Sequence, residues 1–173
     1  ILCQIVRPAT VCGFSERMRF DVSVNMLTMQ ALKNKKIKVF GGDQLRPNLH
    51  IMDYCDAVDV LIKSDSNKIK NQIFNIGYQN LSILEIANVV KKVVENLFPE
   101  KGEINIEKLP SDDNRSYHIN SDKIKKILNY SPKRSVEDAV KDLCDAFQKN
   151  LIQNSFDKDI YFNINRMRNI NAK

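Results

Sequence analysis

A few polar and aromatic side chains in the sequence have the chemistry needed to hold a phosphorylated ligand that carries a flat ring. Arg46 follows a Gly-Gly turn, where the backbone can approach a ligand closely, and its guanidinium group matches phosphate oxygens in a bidentate manner. Phe40 precedes the same turn and can stack on a base. The amide of Asn25 can reach a phosphate or a sugar hydroxyl, and Arg115 can close over the ligand from the opposite side. This set predicts a site for an anionic, ring-bearing ligand.

Each of these side chains also has an ordinary structural interpretation. Arg46 can be a solvated loop arginine, Phe40 a core residue that ends a strand, and Asn25 part of the polar face of a helix. Asp53 is interpreted as a helix N-cap, and Cys12 as an inert buried thiol. From the residue types alone, the sequence therefore indicates a domain able to bind an anion, and no more.

Motifs that carry catalysis do not occur in the sequence. It contains neither the GxxGxxG nor the GxxxxGKS pattern of phosphate-binding loops, and no tyrosine is followed four residues later by a lysine. It also has no GxSxG pattern that would support a nucleophilic serine. His50 and His118 lie far apart, without the spacing of a metal site. We therefore expect no catalytic residue and no metal site in this chain.

The spacing of apolar residues predicts an α/β fold with parallel strand pairing, because strands and helices alternate along the chain. Strands are predicted at residues 1–6, 37–40, 48–51, 72–76 and 104–109. Helices are predicted at residues 20–33, 53–62, 83–97, 122–128 and 135–150. Ser82 and Glu85 have the spacing of a capping box at the start of one helix. The strand at residues 1–6 is expected to be buried, with its pairing partners elsewhere.

Composition narrows the class of protein. The chain has 173 residues with 43% hydrophobic content, which is typical of one compact globular domain. Its formal net charge of +6 suits an anionic ligand and permits a nucleic-acid partner. The longest apolar runs are too short to cross a membrane. Four widely spaced cysteines without a CxxC pair indicate a reduced, cytoplasmic protein.

Four segments share a further pattern of residues and spacing. They are RPATVCG at 7–13, VFGGDQLRPNLHIMD at 39–53, FNIGYQNLSILEIA at 74–87 and DDNRSYHINSDKIKKILNYSPKRSVEDAV at 112–140. Together they resemble the carboxy-terminal half of the extended short-chain dehydrogenase/reductase family, in its nucleotide-sugar epimerase/dehydratase branch. This resemblance implies the substrate-binding part of a Rossmann-type fold, with one or two strands of the parallel Rossmann sheet. It also implies NAD(P) as the cofactor.

The same resemblance implies a role for individual residues. Those that would lie beside the nicotinamide are Pro8 and Ala9. Those that would contact the nucleoside diphosphate sugar are Asn25, Met26, Val39, Phe40, Arg46, Asn48 and Arg115. Among them, the strand-end pair Val39 and Phe40 would pack on the base, and the two arginines would hold the diphosphate.

The resemblance implies that residues 1–150 form the sugar-nucleotide-binding portion of such an enzyme. Residues 151–173 are rich in asparagine and charged residues and have no clear period, which predicts a peripheral or mobile tail. The catalytic YxxxK motif and most of the NAD site would lie upstream, in the same polypeptide or in a second chain. This chain alone is therefore expected to be inactive. The alternative is a non-catalytic interaction module whose basic face binds nucleic acid or a protein partner.

Overall fold

The computed structural model describes residues 3–113, 115–152 and 158–171. In this part of the chain the strands, β1 to β7, are Ile5–Pro8, Thr10–Cys12, Lys36–Phe40, Leu45–His50, Ile73–Ile76, Gln79–Ser82 and Asn105–Leu109. The helices, α1 to α7, are Ser23–Asn34, Ile51–Lys63, Ser66–Ile69, Ile83–Leu97, Asp122–Leu128, Val136–Gln148 and Asn163–Asn169. Short 3-10 helices span Pro99–Lys101 and Asp159–Tyr161.

The strands form three small sheets, and most of their pairings are parallel, as predicted. β1 pairs with β5, β2 with β4, and β3 with β7, all in parallel. β4 also pairs with β6 in the antiparallel direction, which places Arg46 opposite Leu81. β4 lies between β2 and β6: its first four residues, Arg46 included, pair with β6, and its last three pair with β2. This central strand carries Arg46.

Two apolar clusters stabilise the described part of the chain. The larger lies between α1, α4, α6 and β3, and fully buries the side chains of Phe20, Leu27, Ile37, Val90 and Leu143. The smaller lies beneath α2 and the β1–β5 sheet; it contains Leu49, Ala57, Leu61, Phe74 and Tyr130. Burial of each large apolar side chain contributes about 1.5 to 3 kcal/mol. The two clusters fix the strands on which the candidate site is built.

Two helices begin with the side-chain hydrogen bonds that their sequences predict. At the start of α4, the Ser82 hydroxyl accepts from the backbone N–H of Glu85 at 3.2 Å, and the Glu85 carboxylate accepts from the Ser82 N–H at 2.7 Å. At the start of α6, Ser135 and Asp138 exchange the equivalent bonds. Each box satisfies backbone donors that have no partner within the helix. The predicted boundaries of α4 are confirmed.

The predicted N-cap of α2 is wrong. His50 occupies the cap position, and its Nδ1 accepts from the Met52 N–H at 3.1 Å. Asp53 lies within the first turn of the helix and is 1% exposed. The buried line of α2 passes through Asp53, Ala57 and Leu61, and leaves Ile62 74% exposed. The helix begins earlier than predicted because β4 runs directly into it.

Both ends of the chain differ from the sequence-based expectation. Residues 1–2 lie outside the described residues, and β1 begins at Ile5, which is 47% exposed and pairs with β5. The strand that the described residues form here is therefore not the buried strand that the sequence predicted. Of the expected tail, 153–157 and 172–173 lie outside the described residues. Tyr161, however, is 6% exposed and packs in the larger cluster.

Of the helices that the structure describes, none has the length and apolar character needed to span a lipid bilayer.

Candidate functional site

Arg46 lies in the second position of β4, and its side chain is 16% exposed. Its Nη1 donates to the backbone carbonyl of Leu45 at 2.9 Å and to that of Arg115. Its guanidinium carbon lies 5.2 Å from the centre of the Tyr117 ring, a favourable cation–π distance. These contacts hold the guanidinium group in one orientation, which a bidentate phosphate ligand requires.

A cavity of roughly 470 Å³ opens in front of Arg46. The N-terminal segment of the chain lines it with Ala9 and Thr10, and Tyr117 lines it from the other side. Arg19 and Asp21 also line it, and they form an ion pair with two hydrogen bonds of 2.7 and 3.1 Å. The cavity therefore contains two guanidinium groups from distant parts of the sequence.

The amino end of α1 also faces this cavity. Val22 and Ser23, the cap and first residue of the helix, belong to the cavity lining. The cap has no side-chain hydrogen bond to the helix, and the first turn contains no acidic residue. The unsatisfied N–H groups at a helix start attract anions, and the helix dipole adds to the attraction. This arrangement favours a negatively charged group in the cavity that both arginines line.

Asp113 connects the two arginines that the sequence analysis singled out. Its carboxylate accepts two hydrogen bonds from the Arg115 guanidinium, at 2.7 and 2.8 Å, and lies 3.4 Å from Nη2 of Arg46. The hydrogen bonds from Arg115, followed by the nearby charges, hold the pKa of Asp113 well below its usual range. Arg115 itself is 82% exposed. Its guanidinium is thus bound to Asp113 rather than to the cavity wall.

A second cavity, of roughly 670 Å³, lies on the other side of the 110–117 loop. Gly41, Gln44, Leu109 and Ser116 contribute to its lining. Phe40 adjoins it at the end of β3, paired with Leu109, and is 53% exposed. The φ of Gly41 is +75°, and a Cβ there would come within 2.3 Å of the Gln44 side chain. Gly41 therefore has the backbone freedom that the sequence predicted, but the space beside it is filled by the turn's own Gln44 side chain, whose Oε1 also accepts from the Gly42 N–H.

Several predicted contact residues are buried and used within the protein. Asn25 is 1% exposed; its Oδ1 accepts from the Gly13 N–H at 3.0 Å, and its Nδ2 donates to the Arg19 carbonyl at 2.9 Å. It shapes the loop before α1 instead of facing the cavity. Val39 is fully buried in the core, and Met26 is partly buried against it. This corrects the sequence analysis, which expected these side chains to face the ligand. They are instead buried and used within the protein.

Asn48 is also buried, at 1% exposure. Its Nδ2 donates to the Arg46 carbonyl at 2.7 Å, whereas its Oδ1 has no hydrogen-bond partner among the described residues. Asn48 therefore stabilises the backbone of Arg46 from within β4 and does not reach the cavity surface.

The two residues assigned to the nicotinamide lie at the end of β1. Pro8 is exposed, and the Ala9 N–H donates to the Ile76 carbonyl at 2.7 Å. Ala9 also lines the Arg46 cavity, so this strand end and the candidate anion site share one wall.

Two further groups with possible reactivity, Cys12 and His50, are buried and used within the protein. Cys12 is 2% exposed, and burial raises the pKa of its thiol to about 12. His50 caps α2 and its Nε2 lies 3.1 Å from Asp142. Within the described ranges, no group of histidine, cysteine or acidic residues has the arrangement of a metal site. The candidate site that remains is the cavity in front of Arg46.

Residues 3–77 match the family model of the NAD dependent epimerase/dehydratase family. The matched residues include β1 to β5, and they supply Arg19, the start of α1 and Arg46 to the cavity. The 110–117 loop lies beyond the match.

Solved structures of epimerases and dehydratases share this α/β fold. UDP-glucuronic acid 4-epimerase from Bacillus cereus, in complex with UDP-glucuronic acid and NAD, is 25% identical over 87% of this chain and 46% of that chain, with a TM-score of 0.71. dTDP-glucose 4,6-dehydratase from Bacillus anthracis, in complex with NAD, is 23% identical over 84% of this chain and 44% of that chain (TM-score 0.68). UDP-glucose 4-epimerase from Thermotoga maritima, with UDP-glucose, is 22% identical over 84% of this chain and 46% of that chain (TM-score 0.67). This chain thus spans less than half the length of these enzymes.

Most of the cavity lining was not identified from the sequence, including Arg19 and Tyr117. Arg19 lies in a charged loop, where a surface role is the usual interpretation, and Tyr117 lies in the loop after β7. The only signal was the RMRFD segment next to the predicted start of α1, since cations near a helix start are electrostatically unfavourable unless an anion is present.

Proposed function

We propose that this chain is the nucleoside-diphosphate-sugar-binding portion of an NAD-dependent epimerase or dehydratase, and that residues 1–150 form this portion. The observation that carries the proposal is the position of Arg46. Its guanidinium group is held rigid at the wall of a cavity that Arg19 and the start of α1 also line. A diphosphate is the part of an activated sugar that suits this combination of positive charge and N–H donors.

The charges of the cavity support a ligand with more than one anionic oxygen. Arg19 is bound to Asp21, and Arg46 lies near Asp113, so each guanidinium group has a carboxylate beside it. An incoming diphosphate has to compete with these carboxylates, and a bridging ligand that reaches both arginines does so better than a single anion. The ligand would then span the cavity from Arg19 to Arg46.

The remaining parts of the ligand have candidate positions on either side. The base would stack near Phe40, over the Gly-Gly turn, and the sugar would lie toward Ala9 at the end of β1. Exposure of the Phe40 ring supports the first assignment, and the lining position of Ala9 supports the second. Arg115 would close the loop over the diphosphate after releasing Asp113.

NAD would supply transient oxidation of the sugar when bound. Pro8 and Ala9 suit only the nicotinamide end of that cofactor, because the sequence has no glycine-rich dinucleotide loop and no YxxxK motif. We propose that those parts come from another segment of the same polypeptide or from a second chain. The residues described here would bind and orient the sugar nucleotide, and this chain alone would not turn it over.

Thermal unfolding in the presence of UDP-, GDP-, dTDP- and CDP-sugars tests the proposal. A ligand present at about 100 times its Kd adds about 2.7 kcal/mol to the free energy of unfolding, which raises the Tm of a chain of this size by roughly 5 to 10 °C. Arg46→Ala should remove the shift, whereas Arg168→Ala, an exposed arginine on α7, should retain it.

Two results would contradict the proposal. One is a folded protein whose Tm responds to none of these sugars. The other is binding to nucleic acid that weakens steeply with salt and shows no preference for sugar nucleotides, which would favour the interaction module instead.

A further inference from the structure

The amide of Gln44 is the centre of the Gly-Gly turn. Its Oε1 accepts from the Gly42 N–H at 2.6 Å, and its Nε2 donates to the Phe40 carbonyl at 3.2 Å. Gly41 leaves room for this amide, because a Cβ at that position would clash with it. The turn is therefore built around the side chain of Gln44.

The same amide also reaches the 110–117 loop. Nε2 of Gln44 donates to the carbonyl of Asp113 at 2.9 Å. The next residue, Leu45, donates its backbone N–H to Oγ of Ser116 at 3.0 Å. These two hydrogen bonds dock the loop on the entry to β4, one residue before Arg46.

The docked loop is what holds the guanidinium group of Arg46. Nη1 of Arg46 donates to the Arg115 carbonyl, and the guanidinium carbon lies 5.2 Å from the centre of the Tyr117 ring. Arg46 and Tyr117 line the first cavity, whereas Gln44 and Ser116 line the second, on the other side of the loop. The hydrogen bonds that dock the loop therefore lie outside the cavity in which Arg46 would meet an anion.

We propose that Gln44 and Ser116 are positioning residues for Arg46, which dock the loop so that the Arg115 carbonyl and the Tyr117 ring fix the guanidinium group at the cavity wall. This inference rests on the proposed function, because it assigns an anionic ligand to Arg46. A side chain that is already held in its binding orientation loses less conformational freedom when the ligand arrives. Loosening a bond beside the second cavity should therefore weaken anion binding in the first.

A variant of Gln44 has a matched control in the same sheet region. Gln44→Met retains the length of the side chain and removes its three hydrogen bonds. Gln30 is also partly buried, and its Oε1 accepts from the Lys38 N–H of β3 at 2.9 Å. Gln30→Met therefore removes a bond of the same kind from a strand without touching the 110–117 loop.

The serine variants test the second docking bond. Ser116→Ala removes the acceptor of the Leu45 N–H, and Ser116→Thr retains a hydroxyl at the same place. Ser111 is the control, because it lines the same cavity but its Oγ accepts from the Asp113 N–H, at 3.1 Å, within the loop. Ser111→Ala therefore leaves the bonds between the loop and β4 in place.

Titration calorimetry with inorganic pyrophosphate and with UDP-glucose, on the full chain, measures the effect on binding. We expect Gln44→Met and Ser116→Ala each to raise the Kd for both probes about three- to ten-fold, as the loss of a net hydrogen bond implies. Ser116→Thr, Gln30→Met and Ser111→Ala should bind within about two-fold of the parent protein. An equal loss of affinity in Gln30→Met or Ser111→Ala would overturn the positioning role, because it would show a general effect on packing.

NMR of the arginine side chains, without any ligand, reports on Arg46 directly. Its signals are identified by their loss in Arg46→Ala. A guanidinium group held by hydrogen bonds rotates slowly about its Nε–Cζ bond and gives separate Nη signals. We expect separate signals in the parent protein and in Ser116→Thr, and merged signals in Gln44→Met and Ser116→Ala.

The two measurements distinguish the positioning role from the proposed function. If the parent protein binds the probes but the Arg46 signals stay separate in Gln44→Met and Ser116→Ala, or both variants bind as tightly as the parent, the positioning role is overturned and the proposed function stands. If the folded parent protein binds neither probe, both are overturned.

Discussion

Asp113 Oδ2 lies 3.4 Å from Nη2 of Arg46, beside the cavity that Arg46 lines. The side chain of Asp113 is 37% exposed, so solvent weakens this pair, and its main hydrogen bonds go to Arg115. Since the pKa of Asp113 is lowered, the carboxylate is charged at neutral pH. Without a ligand, the Asp113 carboxylate is the counterion of Arg46 and Arg115. An anionic ligand would compete with it for these guanidinium groups.

Removing this competitor should strengthen anion binding. We expect Asp113→Asn to lower the Kd for pyrophosphate by several-fold at pH 7, because Arg46 and Arg115 lose a neighbouring negative charge. Isothermal titration measures the change. Asp112→Asn is the matched control, since Asp112 is an exposed neighbour, and it should alter the Kd less. Equal effects of the two variants would show that only net charge matters.

Asp53 should be the most sensitive acidic residue in the described chain. It is 1% exposed; it accepts from the N–H groups of Lys133 and Arg134, at 3.0 and 2.7 Å, and from the Arg134 side chain at 2.7 Å. Asp53→Ala leaves these donors unpaired and should lower the free energy of unfolding by about 3 to 5 kcal/mol. Urea unfolding measures the loss.

Asp56 provides the comparison for Asp53. It binds the same guanidinium group at 2.7 Å, but its side chain is 49% exposed. Asp56→Ala should therefore cost less than about 1 kcal/mol. A similar loss for both variants would mean that the buried hydrogen bonds of Asp53 do not determine the stability of the contact between α2 and the segment before α6.

Stability should fall in acid in part because of Asp138. Hydrogen bonds from the Ser135 hydroxyl and N–H lower the pKa of Asp138 below its usual value. A carboxyl with a lowered pKa in the folded state stabilises the fold above its unfolded pKa of about 3.9, and this contribution is lost as the pH falls through the folded value. Asp138→Asn should therefore lower the Tm at pH 7, and the difference from the parent protein should shrink near pH 3.

The exposed Asp145 on the same helix is the control for this pH series. Its ion pair among the described residues is with Lys149, four residues away, and its side chain is 56% exposed. Asp145→Asn should change the Tm little at either pH. A Tm difference for Asp138→Asn that stays constant from pH 7 to pH 3 would contradict the expected linkage.

The cysteines should separate into two classes on alkylation. Cys3 and Cys55 are exposed, whereas Cys12 and Cys144 are buried, and burial raises the pKa of both buried thiols to about 12. Because the thiolate is the reactive form, iodoacetamide at pH 8 should label the exposed pair in the folded protein. Mass spectrometry should find the buried pair labelled only after denaturation, and fast labelling of Cys12 would contradict its assignment as inert.

The sequence predicted the elements whose signals are local. The boundaries of α4 follow from a capping box and an apolar stripe, which are both contained in one segment of chain. β2 and β6 were not predicted, because strands of three and four residues carry too little alternation and depend on pairing with distant β4. Asp53 was assigned as a cap because an acidic residue before an apolar stripe looks the same whether it starts the helix or lies inside it.

The candidate site was predicted in part for the same reason. Arg46 was found because a guanidinium after a Gly-Gly turn is a local pattern. Asn25 was misplaced because its two hydrogen-bond partners, Gly13 and the Arg19 carbonyl, can be recognised only in the folded loop. Arg19 was missed because its position depends on contacts with residues more than a hundred positions away, through Phe20 and Tyr161.

The cavity in front of Arg46 takes its walls from the first strands, the start of α1, the central strand β4 and the loop that carries Tyr117. A chain that had formed its helices but not yet joined these distant pieces would give a normal circular dichroism spectrum and still bind nothing. Retention on a pyrophosphate column would therefore report completed assembly more faithfully than helical content, and would separate native molecules from compact misfolded ones during purification.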